Sequence, residues 1–423
     1  MDESLEKILP SLITTFKTLH AAPELSHYEQ KTAENIASQL RSFGYEVTER
    51  FGVYQNPQWT SYGIVAVLQN GTGPVVLYRA DMDALPVEEK TGLPYASQVT
   101  MKGDAGEMVP VMHACGHDLH CAILLGVASL MKTRQRDWSG TLILVAQPAE
   151  EVADAGAQAM LRAGLYQKFP KPDFVLALHA DEESESGQIS YVIGPAYADV
   201  TSVDICVRGL GGHGASPHNC VDPVVLAAQI VLALQTIVSR EIDPAEPAVV
   251  TVGSIHGGHA RNIIPNQVLL QITIRSYAEQ VRQQILKSIE RISLHLARAA
   301  GLSEDRLPEV KTIMITPAVN NDPELMERLV SAFKKTIGED MVKPAKPVMG
   351  GEDFSWYALG GEIPAAIIGL GVIDPILMET REREGKPLPR LHSSEFWIQP
   401  DAAIRNGVLT MTTAMIDLLN GTQ

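Results

Sequence analysis

Short runs of Val, Ile and Leu alternate along this chain with segments of helical periodicity, and that alternation narrows its fold more than any other feature. Residues 64–68, 75–78, 142–146 and 174–178 are each a few residues long and continuously apolar. A strand with one wet face alternates apolar and polar side chains, whereas an unbroken apolar run belongs to a strand covered on both faces. Between these runs lie segments such as 121–131, apolar nearly all round, as befits helices packed on such a sheet. The pattern predicts an α/β domain with a mostly parallel sheet. Ahead of it, Leu5, Ile8, Leu9, Leu12, Ile13 and Phe16 fall at helical spacing, and a second helix is expected over 31–43, closed by Gly44.

The texture changes near residue 198. Residues 204–208 read as a strand, 223–239 as a helix, 248–254 and 268–275 as strands, and 280–299 as a helix, a small α+β unit with a core of its own. After about 313, helices and Gly-punctuated apolar runs such as 365–370 resume. The expected organisation is one larger domain, 1–197 and 313–423, split by an inserted unit over 198–312. The sequence contains no internal repeat or low-complexity segment.

Charge narrows the partners. Thirty-four Lys and Arg against 50 Asp and Glu give a net charge of −16, which repels phosphate backbones and anionic lipid surfaces, so neither nucleic acid nor membrane is an expected partner. The opening MDESLEKILPSLITTF has no basic leader and no cleavage site, and no later run is read as approaching ~18 apolar residues without charge. A cytoplasmic protein with reduced thiols is therefore expected. Four cysteines, Cys115, Cys121, Cys206 and Cys220, are too few for a disulfide framework.

Polar groups gather where the apolar runs end. Arg79, Asp81 and Asp83 follow the second run, Gln147, Glu150 and Glu151 the third, and His179 the fourth. In open α/β sheets, ligands bind outside the carboxyl ends of the strands. Between two of these runs lies Met112-His-Ala-Cys115-Gly-His117-Asp-Leu-His120. A lone His or Cys is ordinarily a satisfied core residue, but this density of soft donors is that of a metal site, with Gly116 letting Cys115 and His117 aim at one point. Thiolate, imidazole and carboxylate together suit a divalent transition ion, zinc first, with manganese, cobalt or nickel as alternatives. Adjacent Glu150 and Glu151 cannot point the same way on an extended segment. One is then left to ligate and the other to act as general base, the division that metal-assisted hydrolysis needs. Gly209-Leu-Gly-Gly-His213-Gly214 spells a dinucleotide fingerprint, but Ala215-Ser-Pro217 follows where a helix should open and the acidic partner is missing.

In order along the chain, Arg79-Ala-Asp-Met-Asp-Ala-Leu-Pro86, Met112-His-Ala-Cys-Gly-His-Asp118, Gln147-Pro-Ala-Glu-Glu151, Gly211-Gly-His-Gly214, Asn262-Ile-Ile-Pro265, Gly351-Glu-Asp-Phe354 and Leu391-His-Ser393 resemble the motif series of the M20 metallopeptidase family. The nearest branch is that of amidohydrolases: aminoacylases, hippurate hydrolases and auxin-conjugate hydrolases. The resemblance implies a catalytic domain built from both chain ends around two divalent metal ions, with an inserted lid domain through which such enzymes often form homodimers. By position it implies Cys115, His117, Glu151, His179 and His392 as metal ligands, Cys115 bridging, and Glu150 as the general base. Asp83 would orient a ligand histidine. His213 would stabilise the oxyanion, often in the partner subunit's site, and Asn262 and Arg275 would hold the substrate's carboxylate. Peptidase relatives carry His-x-Asp where this chain has Asp81-Met-Asp83, and Asp in place of Cys115; both changes belong to the amidohydrolase branch. The activity implied is metal-dependent hydrolysis of the amide bond of a small N-acyl amino acid, with a dipeptidase or exopeptidase using the same centre as the alternative.

Overall fold

The computed structural model describes residues 3–103 and 106–421. They fall into two compact units: the described residues of Met1–Ala196, Asn320–Lys346 and Asp353–Gln423 form the first, and Tyr197–Val319 with Pro347–Glu352 the second.

In the first unit an eight-stranded sheet runs Glu46–Thr48, Ile64–Asn70, Gly140–Gln147, Val75–Asp81, Phe174–Glu185, Ala365–Ile373, Ile189–Tyr191, Val342–Pro344. Four consecutive strands, Gly140–Gln147 to Ala365–Ile373, are mutually parallel, and antiparallel pairings flank them on both sides. Val76, Leu77, Tyr78, Leu142, Leu144, Val175 and Leu176 are all buried, without the alternation a one-sided sheet would show. Helix His117–Thr133 is buried from His117 through Ala128, packed against Glu3–Ala21 and Pro400–Leu419. The second expected helix spans Gln30–Ser42, with Gly44 just beyond it at φ 86°.

One strand is longer than its apolar run. Phe174–Glu185 continues to pair with Ala365–Ile373 as far as Glu185, so His179 stands inside a strand rather than after it. The neighbouring strand, apolar through Ile373, keeps supplying hydrogen-bond partners after the side chains of Phe174–Glu185 have turned polar.

The second unit is a four-stranded antiparallel sheet, ordered Ala248–Gly257, Gln267–Ser276, Val200–Arg208, Glu309–Thr316. Val203, Ile205 and Val207 point into a core shared with Leu226, Ile230 and Leu234 of helix Pro223–Thr236 and with Ile285 and Ile289 of helix Glu279–Ala299. Strict alternation in Val200–Arg208 is the mark of a sheet covered on one face. Strand Glu309–Thr316, which the sequence did not announce, runs through position 312; it is an edge strand with mostly exposed side chains, so no apolar periodicity betrays it. Pro223–Glu241 is long and apolar enough by length and composition to cross a membrane, which corrects the expectation that no run approaches that size. One of its faces lies in the unit's core, while Val224, Val225 and Leu232 are exposed.

A buried ion triad ties the N-terminal helix of the first unit to the start of His117–Thr133. His20 Nδ1 lies 2.7 Å from Asp118 Oδ2 and Nε2 3.1 Å from Glu89 Oε1. Burial opposes a charge on His20, yet the two carboxylates hold its pKa up to about 10. Burial likewise opposes charge on Asp118 and Glu89, but His113 and His20 hold the first, and His20 and Thr91 the second, below the usual range.

Replacing the imidazole in His20→Gln strands two buried carboxylates and should cost about 3–5 kcal/mol near pH 6. Because the folded pKa of His20 lies above its unfolded value of about 6.5, its contribution is complete below ~6.5 and is lost as pH rises toward 10. The carboxylates contribute in the opposite sense, losing their share as pH falls below ~4. Urea unfolding of wild type and H20Q should therefore show a gap that is widest at about pH 5–6.5 and narrows toward pH 10. A gap constant across that range would contradict a charged triad.

Candidate metal centre

Adjacent parallel strands and the first turn of one helix bring the chemistry-bearing side chains of the first unit together. Asp81 closes strand Val75–Asp81 and leads to Asp83, Gly140–Gln147 leads to Glu150 and Glu151, and His179 stands in Phe174–Glu185. Cys115 and His117 flank the start of helix His117–Thr133. The glycine between them sits at φ 82°, and a Cβ there would lie 2.9 Å from the Ala180 side chain, so no other residue fits without a shift. His392, itself left-handed at φ 64°, is drawn alongside Cys115 by its backbone N–H, which donates to the Ala114 carbonyl at 2.8 Å.

The five expected ligands converge. Cys115 Sγ is 3.5 Å from His179 Nε2 and 3.4 Å from His392 Nε2; Glu151 Oε1 is 3.4 Å from His392 Nε2 and 3.9 Å from His117 Nε2. Donors bound to one ion at ~2.0–2.3 Å on a tetrahedron stand roughly 3–4 Å apart, so these separations suit metal coordination. Of the five donor groups among the described residues, two contain Cys115: one with His117 and His179, the other with Glu151 and His392. The thiol belongs to both.

Hydrogen bonding to the second ring nitrogen separates the histidines of the dense motif. His117 Nδ1–H donates to the Asp83 carbonyl at 2.9 Å and His179 Nδ1–H to the Ala180 carbonyl at 2.9 Å, which leaves Nε2 of both rings facing the cluster. His117 Nε2 is buried and makes no hydrogen bond. His120 is spent: its Nδ1–H donates to Asp81 Oδ1, and its Nε2 accepts the Ala180 N–H at 2.9 Å. Burial lowers its pKa to about 4 in spite of Asp81, so the ring is neutral. His113 is fully buried, also lowered to about 4 by burial, and neither of its nitrogens has a hydrogen-bond partner among the described residues. Of the four soft donors, Cys115 and His117 alone reach the cluster formed with Glu151, His179 and His392.

The surroundings favour a cation. Burial opposes charge on His117, but Asp81, Asp83 and Glu151 outweigh it and hold its pKa up to about 10. Burial and the nearby Glu151, Glu150 and Asp81 push the Cys115 thiol well above its ordinary range, so the thiolate forms only where a positive ion compensates. Asp83 contacts two of the candidate ligands: besides its carbonyl bond to His117, Oδ2 accepts the Glu151 N–H at 3.1 Å and the Ser26 hydroxyl at 2.7 Å. These donors, an orphaned buried imidazole nitrogen among them, fit divalent ions.

Glu150 and Glu151 behave differently from the extended-segment expectation. Ala149 before them is left-handed, φ 51°, and the resulting turn brings oxygens of both carboxylates within 4.8 Å of His117. The turn is closed by the Gly156 N–H on the Ala149 carbonyl, and a Cβ on Gly156 would lie 1.7 Å from the Pro148 carbonyl oxygen. Sequence reasoning also passed over a fully buried hub. Arg79 donates to Asp81 at 2.6 Å, to Gln147 at 2.9 Å and to Asp353 at 3.0 Å, and Gln147 donates in turn to Asp353. The two-residue spacing of Arg79 and Asp81, which puts both on one face of the strand, was the available signal.

The remaining candidates belong to the second unit. His213 is exposed, and its Nδ1 accepts the Ala215 N–H; the next N–H, of Gly214, donates to the Asn262 carbonyl. His213 pairs with Ile263, so it stands beside Asn262 at the end of a two-stranded ladder. Arg275 lies on Gln267–Ser276, opposite Val249.

The model of Peptidase family M20/M25/M40 matches residues 77–382. The chain belongs to this family. An N-acetyl-L-cysteine deacetylase of Bacillus subtilis is 36% identical over 355 residues, covering 84% of this chain and 79% of that one. Thermostable carboxypeptidase 1 of Saccharolobus solfataricus is 35% identical over 393 residues, 92% of this chain and 91% of its own. Among solved structures, the YXEP protein of Bacillus subtilis, described as a dinuclear metal binding peptidase from the M20 family, superposes with a TM-score of 0.78 at 27% identity over 99% of this chain and 100% of that one. This M20 chain therefore shares its fold along essentially its whole length with a dinuclear metal protein.

Elemental analysis checks the donor assignment. His117→Ala and Cys115→Ala should lose at least half of the divalent metal carried by the wild type. His113→Leu, whose ring reaches no donor group, should keep it; equal loss in H113L and H117A would refute the division by ring nitrogen.

Proposed function

We propose that this M20 enzyme hydrolyses the amide bond of small N-acyl amino acids, releasing a carboxylic acid and a free amino acid. The convergence of Cys115, His117, His179, Glu151 and His392 beside Glu150 carries the reading. Cys115, His117, His179, Glu151 and His392 would hold the ions, the thiol being the donor that the His117–His179 and Glu151–His392 groups have in common. Two divalent ions, zinc first with manganese, cobalt or nickel as alternatives, would supply Lewis acidity toward the amide carbonyl and acidify the attacking water. Glu150 takes the proton from that water and returns it to the leaving amine nitrogen. Asp83 keeps the His117 ring and the Glu151 backbone aligned. Through the motif resemblance, His213 is assigned to the oxyanion, and Asn262 and Arg275 to the substrate's carboxylate.

Similarity to the N-acetyl-L-cysteine deacetylase supports an acyl amino acid as substrate. A second reading, cleavage of short peptides, is favoured by similarity to thermostable carboxypeptidase 1; both reactions release an amine and use the same residues. The acidic net charge disfavours polyanionic partners and so supports a small-molecule substrate, and the four free cysteines support a cytoplasmic location. For assembly we propose a homodimer through the second unit. Edge strand Ala248–Gly257 carries exposed Ile255, and helix Pro223–Thr236 exposes Val224, Val225 and Leu232. Unpaired strand edges and apolar surfaces of this kind are ordinarily covered.

Glu150→Ala should lower kcat on the order of 10²–10⁴-fold while bound metal is unchanged; full activity in E150A sinks the base assignment. Steady-state rates on N-acetyl and N-benzoyl amino acids against dipeptides separate the two substrate readings. In the same panel, Arg275→Ala should raise KM for free-acid substrates and spare their amidated counterparts. Light scattering tests assembly: the wild type should have twice the chain mass and Leu232→Glu the mass of one chain, and a monomeric wild type refutes the dimer.

A further inference from the structure

A buried carboxyl outside the donor set grips the turn that carries the proposed base. Glu29, entirely buried just ahead of helix Gln30–Ser42, uses one oxygen, Oε1, to accept two backbone N–H groups: that of Ala149 at 2.8 Å and that of His27 at 2.9 Å. Both residues it holds are left-handed without being glycine, φ 51° at Ala149 and φ 69° at His27. Such conformations persist where neighbouring structure imposes them. Ala149 is pinned from both ends, since its carbonyl also accepts the Gly156 N–H at 2.9 Å. The loop between those two bonds contains Glu150 and Glu151.

We propose that Glu29 is a positioning residue: through the Ala149 N–H it fixes the left-handed turn that sets where Glu150 points relative to Glu151. The inference rests on the assignment of Glu150 as base. Its physical logic is that both adjacent carboxylates reach the same cluster, which an extended segment would not allow, and the direction of the first is set by the backbone of the residue before it. Burial, with the negative charge of Asp83 nearby, pushes the Glu29 carboxyl well above the usual range, so it acts as a neutral acceptor and adds no further charge to this end of the sheet.

Three variants test this. Glu29→Gln keeps an oxygen acceptor in place; Glu29→Met keeps the volume and removes it; Glu29→Asp keeps the carboxyl but withdraws it by about one C–C bond, ~1.5 Å. Two readouts are needed: kcat and KM on an N-acyl amino acid, and hydrogen–deuterium exchange of the peptide covering 147–156, which requires no turnover. In E29M, exchange of that peptide should rise at least 10-fold and kcat should fall on the order of 100-fold, with KM and bound metal near wild type. E29Q should stay within a few-fold of wild type in both, and E29D should lie between. If E29M does not fold, the E29D and E29Q pair carries the test. Unchanged exchange in folded E29M or E29D overturns the proposal, and so does faster exchange with unaltered kcat. A wild type that cleaves no N-acyl amino acid would instead refute the functional reading; the anchoring of the turn is then decided by exchange alone, faster in E29M and E29D supporting it and unchanged refuting it.

Discussion

Negative charge buried at one edge of the parallel sheet is the constraint around which the first unit is arranged. Asp81, Asp83, Asp118, Asp353 and Glu29 are all buried there, with Glu150 and Glu151 close by. An isolated buried carboxylate costs several kcal/mol, so each must be paired or neutral. Asp81 and Asp353 share the Arg79 guanidinium. Asp118 has His20, Asp83 collects hydrogen bonds from Ser26 and the Glu151 backbone, and Glu29 keeps its proton. What is left over is a cluster of carboxylate, imidazole and thiol with its donor atoms turned inward. The place for a cation is thus defined by subtraction, and Arg79 does much of the subtracting, because the two carboxylates it binds are withdrawn from competition for a metal.

Strand register explains why these groups meet. Asp81 pairs with Gln147, and Arg79 with Ala177, so His179, two residues beyond Ala177, stands level with Asp81. Side chains two apart share a face of a strand, which puts Arg79 and Asp81 on one side and lets the guanidinium span to Gln147. Parallel strands deliver the same end of every strand to the same edge, and the chain segments that leave it, 82–83 and 148–151, need only a few residues to close on the cluster.

That edge was legible in the sequence because two-sided burial writes unbroken apolar runs and polar residues mark where they stop. The density of His113, Cys115, His117 and His120 was legible for the same local reason. Their sorting was not: it depends on carbonyls of Asp83 and Ala180 and on the Ala180 N–H, which lie on or just beyond other strands and have no signature near the motif. Ala149 is harder still, since alanine disfavours the left-handed region, and the contacts that hold it there come from Glu29, 120 residues earlier, and from Gly156. Edge strand Glu309–Thr316 left no periodic trace because almost nothing on it is buried. Sequence pattern reports burial well and reports long-range hydrogen bonding hardly at all.

The use of a thiol at the shared ligand position follows from the same charge balance. A carboxyl at position 115 would start from an ordinary pKa of about 4, well below the ~8.5 of a thiol, so beside Glu150, Glu151 and Asp81 it would be far more readily left ionised when no ion is bound. Cys115 does not have this liability, because burial and those same carboxylates push its thiol up and keep it neutral until a cation arrives. Ion binding then expels the proton, so affinity for metal rises with pH in a way a carboxylate ligand would not impose. The thiol therefore spares the metal-free fold one uncompensated buried charge while remaining able to supply a negative ligand to the assembled centre.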